Sequence, residues 1–179
     1  MTGSRSLALL RGVNVGGARS MKSTDLKRAF LDCGADEAET VIQSGNVIFR
    51  AAAPARVTLE AERAIEVRFG FRPTIVLRDA DAWRAIVERN PFVAAGVDPA
   101  TLHVACLAPS NAPARSRPLD AKTLAPDEFV VAGADIYLRL PNGVAGARLT
   151  NAILDTAFGT VSTMRIWRTA VRLLERLQA

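Results

Sequence analysis

Residues 6–17 read SLALLRGVNVGG, an apolar run that ends in paired glycines. A short apolar run bounded by glycine is typical of a buried strand that enters a tight turn. We therefore predict a strand from Ser6 to Val15, followed by a turn at Gly16 and Gly17. Apolar residues at helical spacing between Leu26 and Cys33 predict that a helix comes next and ends at Gly34.

Two hairpins are predicted further along the chain, each centred on a glycine between β-rich segments. The first joins 40–42 to 47–49 through Ser44-Gly45-Asn46, and the second joins 129–131 to 136–140 through Ala132-Gly133-Ala134. Apolar periodicity and glycine or proline stops predict the other elements. These are helices at 57–69, 80–89, 118–124, 149–158 and 167–177, and strands at 74–77, 102–107 and 161–164.

The order strand, helix, strand, strand, helix, strand therefore occurs twice, which is the split βαβ pattern of ferredoxin-like units. The similarity of AWRAIV at 82–87 to IWRTAV at 166–171 supports an internal duplication. We predict an α+β chain of two ferredoxin-like halves, with antiparallel sheets backed by helices. The predicted N-terminal half is 1–90, the linker is 91–101 and the C-terminal half is 102–179.

The composition favours a folded protein with an arginine-rich surface. Of 179 residues 49% are hydrophobic, which is ample for a core and argues against disorder. The net charge is +5, and only three of the 23 basic residues are lysines. This charge permits an anionic partner, although arginine and alanine codons of a GC-rich genome explain it as well. No apolar run approaches bilayer length and no signal peptide is recognisable, so we expect a cytoplasmic protein without a membrane partner.

Cysteine and histidine content argues against a metal site. The two cysteines, Cys33 and Cys106, share no CxxC spacing, so reduced thiols are the favoured interpretation, with a redox pair as the alternative. His103 is the only histidine and lies in an apolar segment, which favours a structural role. We expect no metal, and no cofactor is evident.

The segment at 9–17, LLRGVNVGG, resembles the signature of the bacterial family known as domain of unknown function 1697. The resemblance continues through IQSGNVIF at 42–49, NPF at 90–92, YL at 137–138 and PNG at 141–143. It implies tandem ferredoxin-like halves and assigns no activity. Relatives often carry lysine where this chain has Ala18, and two asparagines of the C-terminal family pattern are replaced by Ile166 and Arg168. These departures put the family's C-terminal function in doubt here.

The glycine-rich loop after the first strand is the first candidate site. Glycines at 12, 16 and 17 allow backbone N–H groups to converge, and Arg11 and Arg19 flank them, so an anion-binding loop ahead of a helix is predicted. The loop is not a Walker A motif, because Ala18 and Arg19 replace the lysine and the hydroxyl residue. The alternative is a tight β–α connection in which Asn14 caps its own turn.

Two further groups of residues carry both a functional and a structural interpretation. Ser44 and Asn46 at the hairpin tip either serve a ligand or bond their own backbone. Arginines near Trp167 either form a second basic cluster that binds a planar anion, or lie on the solvent-exposed face of an amphipathic helix. That candidate cluster comprises Arg148, Arg165, Trp167 and Arg168.

The function favoured by these residues is the binding of a small anionic or nucleotide-like ligand. Nucleic-acid binding on a sheet is weaker, because Phe49, Phe129 and Tyr137 are too scattered to stack bases and the RNP motif is missing. An enzyme would have to use arginine and backbone N–H electrostatics, since no paired carboxylates or Ser-His-Asp pattern occurs. A protein-interaction domain is the remaining alternative, and the oligomeric state is not predictable from these patterns.

Overall fold

The structure is a computed structural model that describes residues 4–14, 20–42, 45–109 and 118–179. Its strands are β1 (Arg5–Arg11), β2 (Glu37–Thr40), β3 (Asn46–Arg50), β4 (Thr74–Asp79), β5 (Leu102–Leu107), β6 (Glu128–Ala132), β7 (Asp135–Arg139) and β8 (Ser162–Ile166). Its helices are α1 (Ser23–Asp32), α2 (Pro54–Phe69), α3 (Ala80–Glu88), α4 (Pro91–Ala94), α5 (Ala121–Leu124), α6 (Asn151–Phe158) and α7 (Trp167–Gln178). Short 3₁₀ turns occupy Pro99–Thr101 and Val144–Gly146.

Two four-stranded antiparallel sheets are built on the same plan. Their strand orders are β2-β3-β1-β4 and β6-β7-β5-β8, so the first strand of each half is central in its sheet. In the first sheet Ala8 pairs with Val47 of β3 and with Leu77 of β4. In the second, Ala105 pairs with Ile136 of β7 and with Met164 of β8. The predicted α+β fold with two similar ferredoxin-like halves is therefore confirmed.

Each sheet packs one face against helices of its own half. In the first half Ala8, Leu10 and Phe49 join residues of α1 and α2 such as Phe30 and Ile65 in one core. Phe30 and Phe49 contact each other with ring centroids 5.1 Å apart. In the second half Ala105 and Leu138 lie in one cluster with Leu154 of α6 and Leu124 of α5.

The opposite sheet faces are buried as well. Leu7 and Leu9 alternate with the core residues of β1 and are fully buried, and Val104 and Cys106 have the same position on β5. In the second half, the Tyr137 hydroxyl donates a 3.0 Å hydrogen bond to the Ile86 carbonyl of α3 from that face. Burial on both faces explains why both central strands read as continuous apolar runs rather than as alternating ones.

Some element boundaries differ from the predicted ones. The described part of β1 ends at Arg11, and β2 begins earlier than predicted and stops at Thr40. Ile42 cannot extend β2 because its φ is 57°, which lies in the left-handed region. The predicted short helix at 118–124 is confined to α5, which starts after Asp120.

The chain divides into two compact units. The first is Met1–Arg84 together with Leu173–Ala179, and the second is Ala85–Arg172. Helices α3 and α7 thus each contribute residues to both units. Residues 91–101 contain α4 and a 3₁₀ turn. No helix within the described part of the chain is long and apolar enough to span a bilayer.

Two glycines with the same backbone conformation provide a test of this packing. Gly45 and Gly70 both have φ of +74°, but a Cβ at Gly45 would lie 3.1 Å from Leu10 Cβ, whereas a Cβ at Gly70 meets nothing within 4 Å. Gly70→Ala should lower the free energy of unfolding by about 1 kcal/mol through the left-handed conformation alone. Gly45→Ala should cost about 1–3 kcal/mol more, because Leu10 must move. Urea denaturation measures both, and equal losses would contradict the close approach.

Candidate functional site

A side-chain hydrogen bond links the described residues on either side of the loop after β1. Asn14 is exposed and has a φ of 59°, and Gly12 before it has a φ of 73°. The Met21 N–H donates a 2.7 Å hydrogen bond to Asn14 Oδ1, which ties the start of the loop to the residue just ahead of α1. Asn14 therefore does hold its own turn, as the structural interpretation proposed.

The tip of the first hairpin lies against the end of β1. The Leu10 N–H donates a 2.8 Å hydrogen bond to the Gly45 carbonyl, and Gly45 sits close to Leu10 and Val13. Asn46 is fully buried, and its Nδ2 donates a 3.0 Å hydrogen bond to the Val41 carbonyl. The structure thus brings the two predicted polar segments together, but it places the Asn46 amide inside the hairpin and not on the surface.

The remaining residues predicted for this site fall into two groups. Arg11 is half-buried at the end of β1, opposite Thr74 of β4. Because side chains alternate along a strand, Arg11 lies on the face of Leu7 and Leu9, opposite the face covered by α1 and α2. The other predicted residues, Gly16, Gly17, Arg19 and Ser44, lie outside the described residues.

Lys22 is a residue of this region that sequence reasoning missed. It occupies the N-cap position of α1, and no described side chain caps that helix. Lysine has no acceptor atom, so it cannot bond the free N–H groups of the first turn. A cation at this end also opposes the helix dipole. The sequence pattern does not place Lys22 at the N-cap, because the adjacent Ser23 is itself a residue preferred there.

The second predicted cluster does not form one exposed surface. Arg165 and Trp167 are buried, whereas Arg148 and Arg168 are exposed. The Arg165 guanidinium donates to Thr163 Oγ1 at 2.7 Å and to the Met164 carbonyl at 2.8 Å. Arg148 donates to the Thr123 carbonyl at 3.0 Å, and its N–H bonds to the buried Asp127 carboxylate. Trp167 therefore offers no open ring on which a planar ligand could stack.

The described residues offer few other groups that could bind a metal, react as a thiol or stack on a base. They contain no group of three or more His, Cys, Asp or Glu side chains suited to a metal ion. Cys33 and Cys106 are free thiols, and burial raises the pKa of Cys33. Phe49 and Tyr137 are buried and Phe129 is half-buried, so these three aromatics do not form an exposed platform for bases.

His103 is buried on β5, as its apolar neighbours predicted. Its Nδ1 lies 3.2 Å from the Thr101 carbonyl. Burial lowers the pKa of the imidazole, and the hydrogen bond to Thr101 opposes this effect in part. The folded protein therefore favours the neutral ring.

Comparison with known proteins agrees with this architecture. A family model described as a protein of unknown function (DUF1697) matches residues 4–137. The chain belongs to the DUF1697 family. No curated protein matches it. A conserved bacterial protein, SP0830 from Streptococcus pneumoniae, has a similar structure with a TM-score of 0.72 and 19% sequence identity, covering 97% of this chain and 98% of that one. At this identity the likeness extends to the fold of this DUF1697 member and not to its activity.

The role of Asn14 can be separated into its hydrogen bond and its backbone conformation. Asn14→Ala loses the bond to Met21 and keeps a Cβ at positive φ, so the free energy of unfolding should fall by about 1–2 kcal/mol. Asn14→Gly also loses the bond but removes the steric cost, so it should fall less. Both are measured by urea denaturation. An unchanged stability of Asn14→Ala would show that the bond does not hold the loop.

His103 should make stability depend on pH in the weakly acidic range. Because its folded-state pKa is lowered from 6.5, the unfolded chain takes up a proton at a higher pH than the folded protein does. The free energy of unfolding should therefore fall as the pH drops from 7 through 6.5 and on through the folded-state pKa. In His103→Gln this part of the pH dependence should vanish. An identical slope in both proteins between about pH 7 and pH 5.5 would contradict it.

Proposed function

We propose that this protein binds a small anionic ligand, of the phosphate- or carboxylate-bearing and nucleotide-like kind, at the N-terminus of α1. Its described contributors are Gly12, Asn14 and Lys22, because the Arg11 side chain lies on the opposite face of β1 from α1. The site lies beside the β2–β3 hairpin tip, which Gly45 anchors to β1. The ligand would sit where the chain leaves β1 and enters the helix.

The observation that carries this proposal is the contrast between α1 and five other helical starts; α2 also lacks a side-chain cap, but its N-cap residue, Ala53, is uncharged. Side-chain oxygens accept first-turn N–H groups at the starts of α3, α4, the 3₁₀ turn at Pro99–Thr101, α5 and α6. The residues that do so are Asp79, Asn90, Asp98, Asp120 and Thr150. At the start of α1 the corresponding residue is Lys22, whose charge has the wrong sign for that role.

A bound anion would offset two unfavourable features of this helix end, the uncapped N–H groups and the charge of Lys22. It would accept the open N–H groups of the first turn, and its charge would offset that of Lys22. Positive φ at Gly12 and Asn14 supports the proposal further, because successive N–H groups in such backbone can point into one concavity. Non-glycine residues with strained backbone also tend to occur at functional sites.

The second unit offers an internal comparison for this proposal. Its α5 follows β5 as α1 follows β1, but α5 is capped by the Asp120 carboxylate, which accepts the Lys122 N–H at 2.9 Å. In α5 the protein supplies the anion itself. An external anion at α1 would supply the same contact from solution.

Lys22→Ser separates folding from binding. Serine caps a helix and removes the unfavourable charge, so the free energy of unfolding should rise by about 0.5–1 kcal/mol. The same variant should bind the ligand about tenfold more weakly, because a charged partner is lost. Urea denaturation and calorimetric titration measure the two effects. A destabilised Lys22→Ser would mean that Lys22 contributes to the fold and not to a site.

A thermal-shift screen against nucleotides, phosphosugars and carboxylates at low and moderate salt should identify the ligand, because a ligand of the folded state raises the melting temperature. Lys22→Ala should reduce that rise. Lys27→Ala is the matched control, since Lys27 is an exposed lysine one turn further along α1. A flat response across the panel, or an equal loss in Lys27→Ala, would overturn the proposal.

A further inference from the structure

A cavity lies within the second unit, remote in sequence from the loop after β1. Its volume is about 350 Å³. The polar residues that line it are His103, Thr150 and Asn151, and apolar walls come from Val144, Met164 and Ile166. Motif analysis assigned none of these polar residues to a site.

Strand pairing and the start of α6 explain how these residues meet. His103 of β5 lies directly opposite Ile166 of β8, and Ala105 lies opposite Met164. These residues share one sheet face because they alternate with Val104 and Arg165. Ala105 and Met164 pack in the core with Leu154 of α6, which shows that α6 covers this face. The first residues of α6 therefore stand over His103.

His103 presents an unused polar atom at this place. The side chain is only 3% exposed, and its Nδ1 lies 3.2 Å from the Thr101 carbonyl. A carbonyl only accepts, so Nδ1 carries the hydrogen and Nε2 of the neutral ring is left as an acceptor. Nε2 bonds to none of the described residues. Because His103 lines the cavity, this Nε2 is available to bond a molecule that enters it.

The start of α6 supplies donors to the same cavity. Thr150 Oγ1 accepts the Ile153 N–H at 3.3 Å. The first two N–H groups of the helix, those of Asn151 and Ala152, do not bond to this capping oxygen. Donors at a helix N-terminus favour a negatively charged group.

We propose that this cavity binds a small carboxylic acid with a short apolar chain. The carboxylate would accept hydrogen bonds from the start of α6 and from a protonated His103, and the chain would contact Val144, Met164 and Ile166. Among the described residues that line the cavity, His103 alone is titratable. Because burial favours the neutral ring in the free protein, binding of the anion takes up a proton at Nε2. This site is independent of the anion site proposed at α1.

The single histidine makes the test direct, since its imidazole C–H signals in an NMR spectrum come from one residue. A carboxylate in contact with the ring should raise the pKa of His103 by about one unit. By linkage, butyrate should then bind about tenfold more tightly to the protonated protein than to the neutral one. The pH titration of the wild-type protein is recorded alone, with butyrate, with butyramide and with inorganic phosphate.

Each added compound tests a different part of the proposal. Butyrate should raise the pKa, and its uncharged analogue butyramide should not. Phosphate with an effect equal to that of butyrate would overturn the assignment of a carboxylate with an apolar chain. An unchanged pKa with both anions would overturn the site. The same titration of Lys22→Ala should match the wild-type result, so this test remains valid even if the α1 site does not exist.

A variant that carries its own carboxylate gives a second measurement. Asn151→Asp places an acid at the start of α6, where the helix dipole favours it, so the variant should fold. It should raise the pKa of His103 without any ligand and abolish the response to butyrate. Thr156→Asp is the control, because Thr156 is exposed further along the same helix. Equal pKa values of His103 in both variants would contradict the placement of His103 beneath the start of α6.

Discussion

Each sheet of this protein is organised around a central strand that is hydrogen-bonded along both edges and buried on both faces. In the first unit this is β1, which pairs with β3 and β4. Such a strand tolerates no polar residue in its middle, so polar chemistry is confined to its ends. Asn14 follows the end of β1, and His103 lies near the start of β5. Both proposed sites are consequences of that restriction.

The two proposed sites also share one arrangement of groups but differ in the side chain involved. A helix start supplies N–H donors, and one cationic or ionisable side chain lies beside it. At α1 that side chain is Lys22, and at α6 it is His103, whose charge depends on pH and on burial. Anion binding at the second site is therefore coupled to proton uptake.

The fold was largely predictable from the sequence, because it depends on patterns that are local. Apolar runs and glycine stops at Gly34, Gly70 and Gly159 located the strands and most helices within a few residues, whereas α4 lies in the predicted linker. The burial or exposure of individual polar residues was less predictable. Asn14 and Asn46 occur in similar turn sequences, yet Asn14 is exposed and Asn46 is fully buried. The difference arises because Gly45 packs against Leu10, a contact between residues far apart in the chain. His103 meets Asn151 in the same way, through strand pairing and not through spacing.

The first compact unit comprises Met1–Arg84 and Leu173–Ala179 and is thus discontinuous in sequence. Arg176 donates to the Glu39 carboxylate of β2, and its carbonyl accepts from Arg5 of β1 at 3.1 Å. On the ribosome, domains ordinarily fold in the order in which they emerge. Here the N-terminal sheet is synthesised first, but its unit gains its last residues only when translation reaches the end of α7. The entire second unit is synthesised in the interval, so the unit that begins first is completed last.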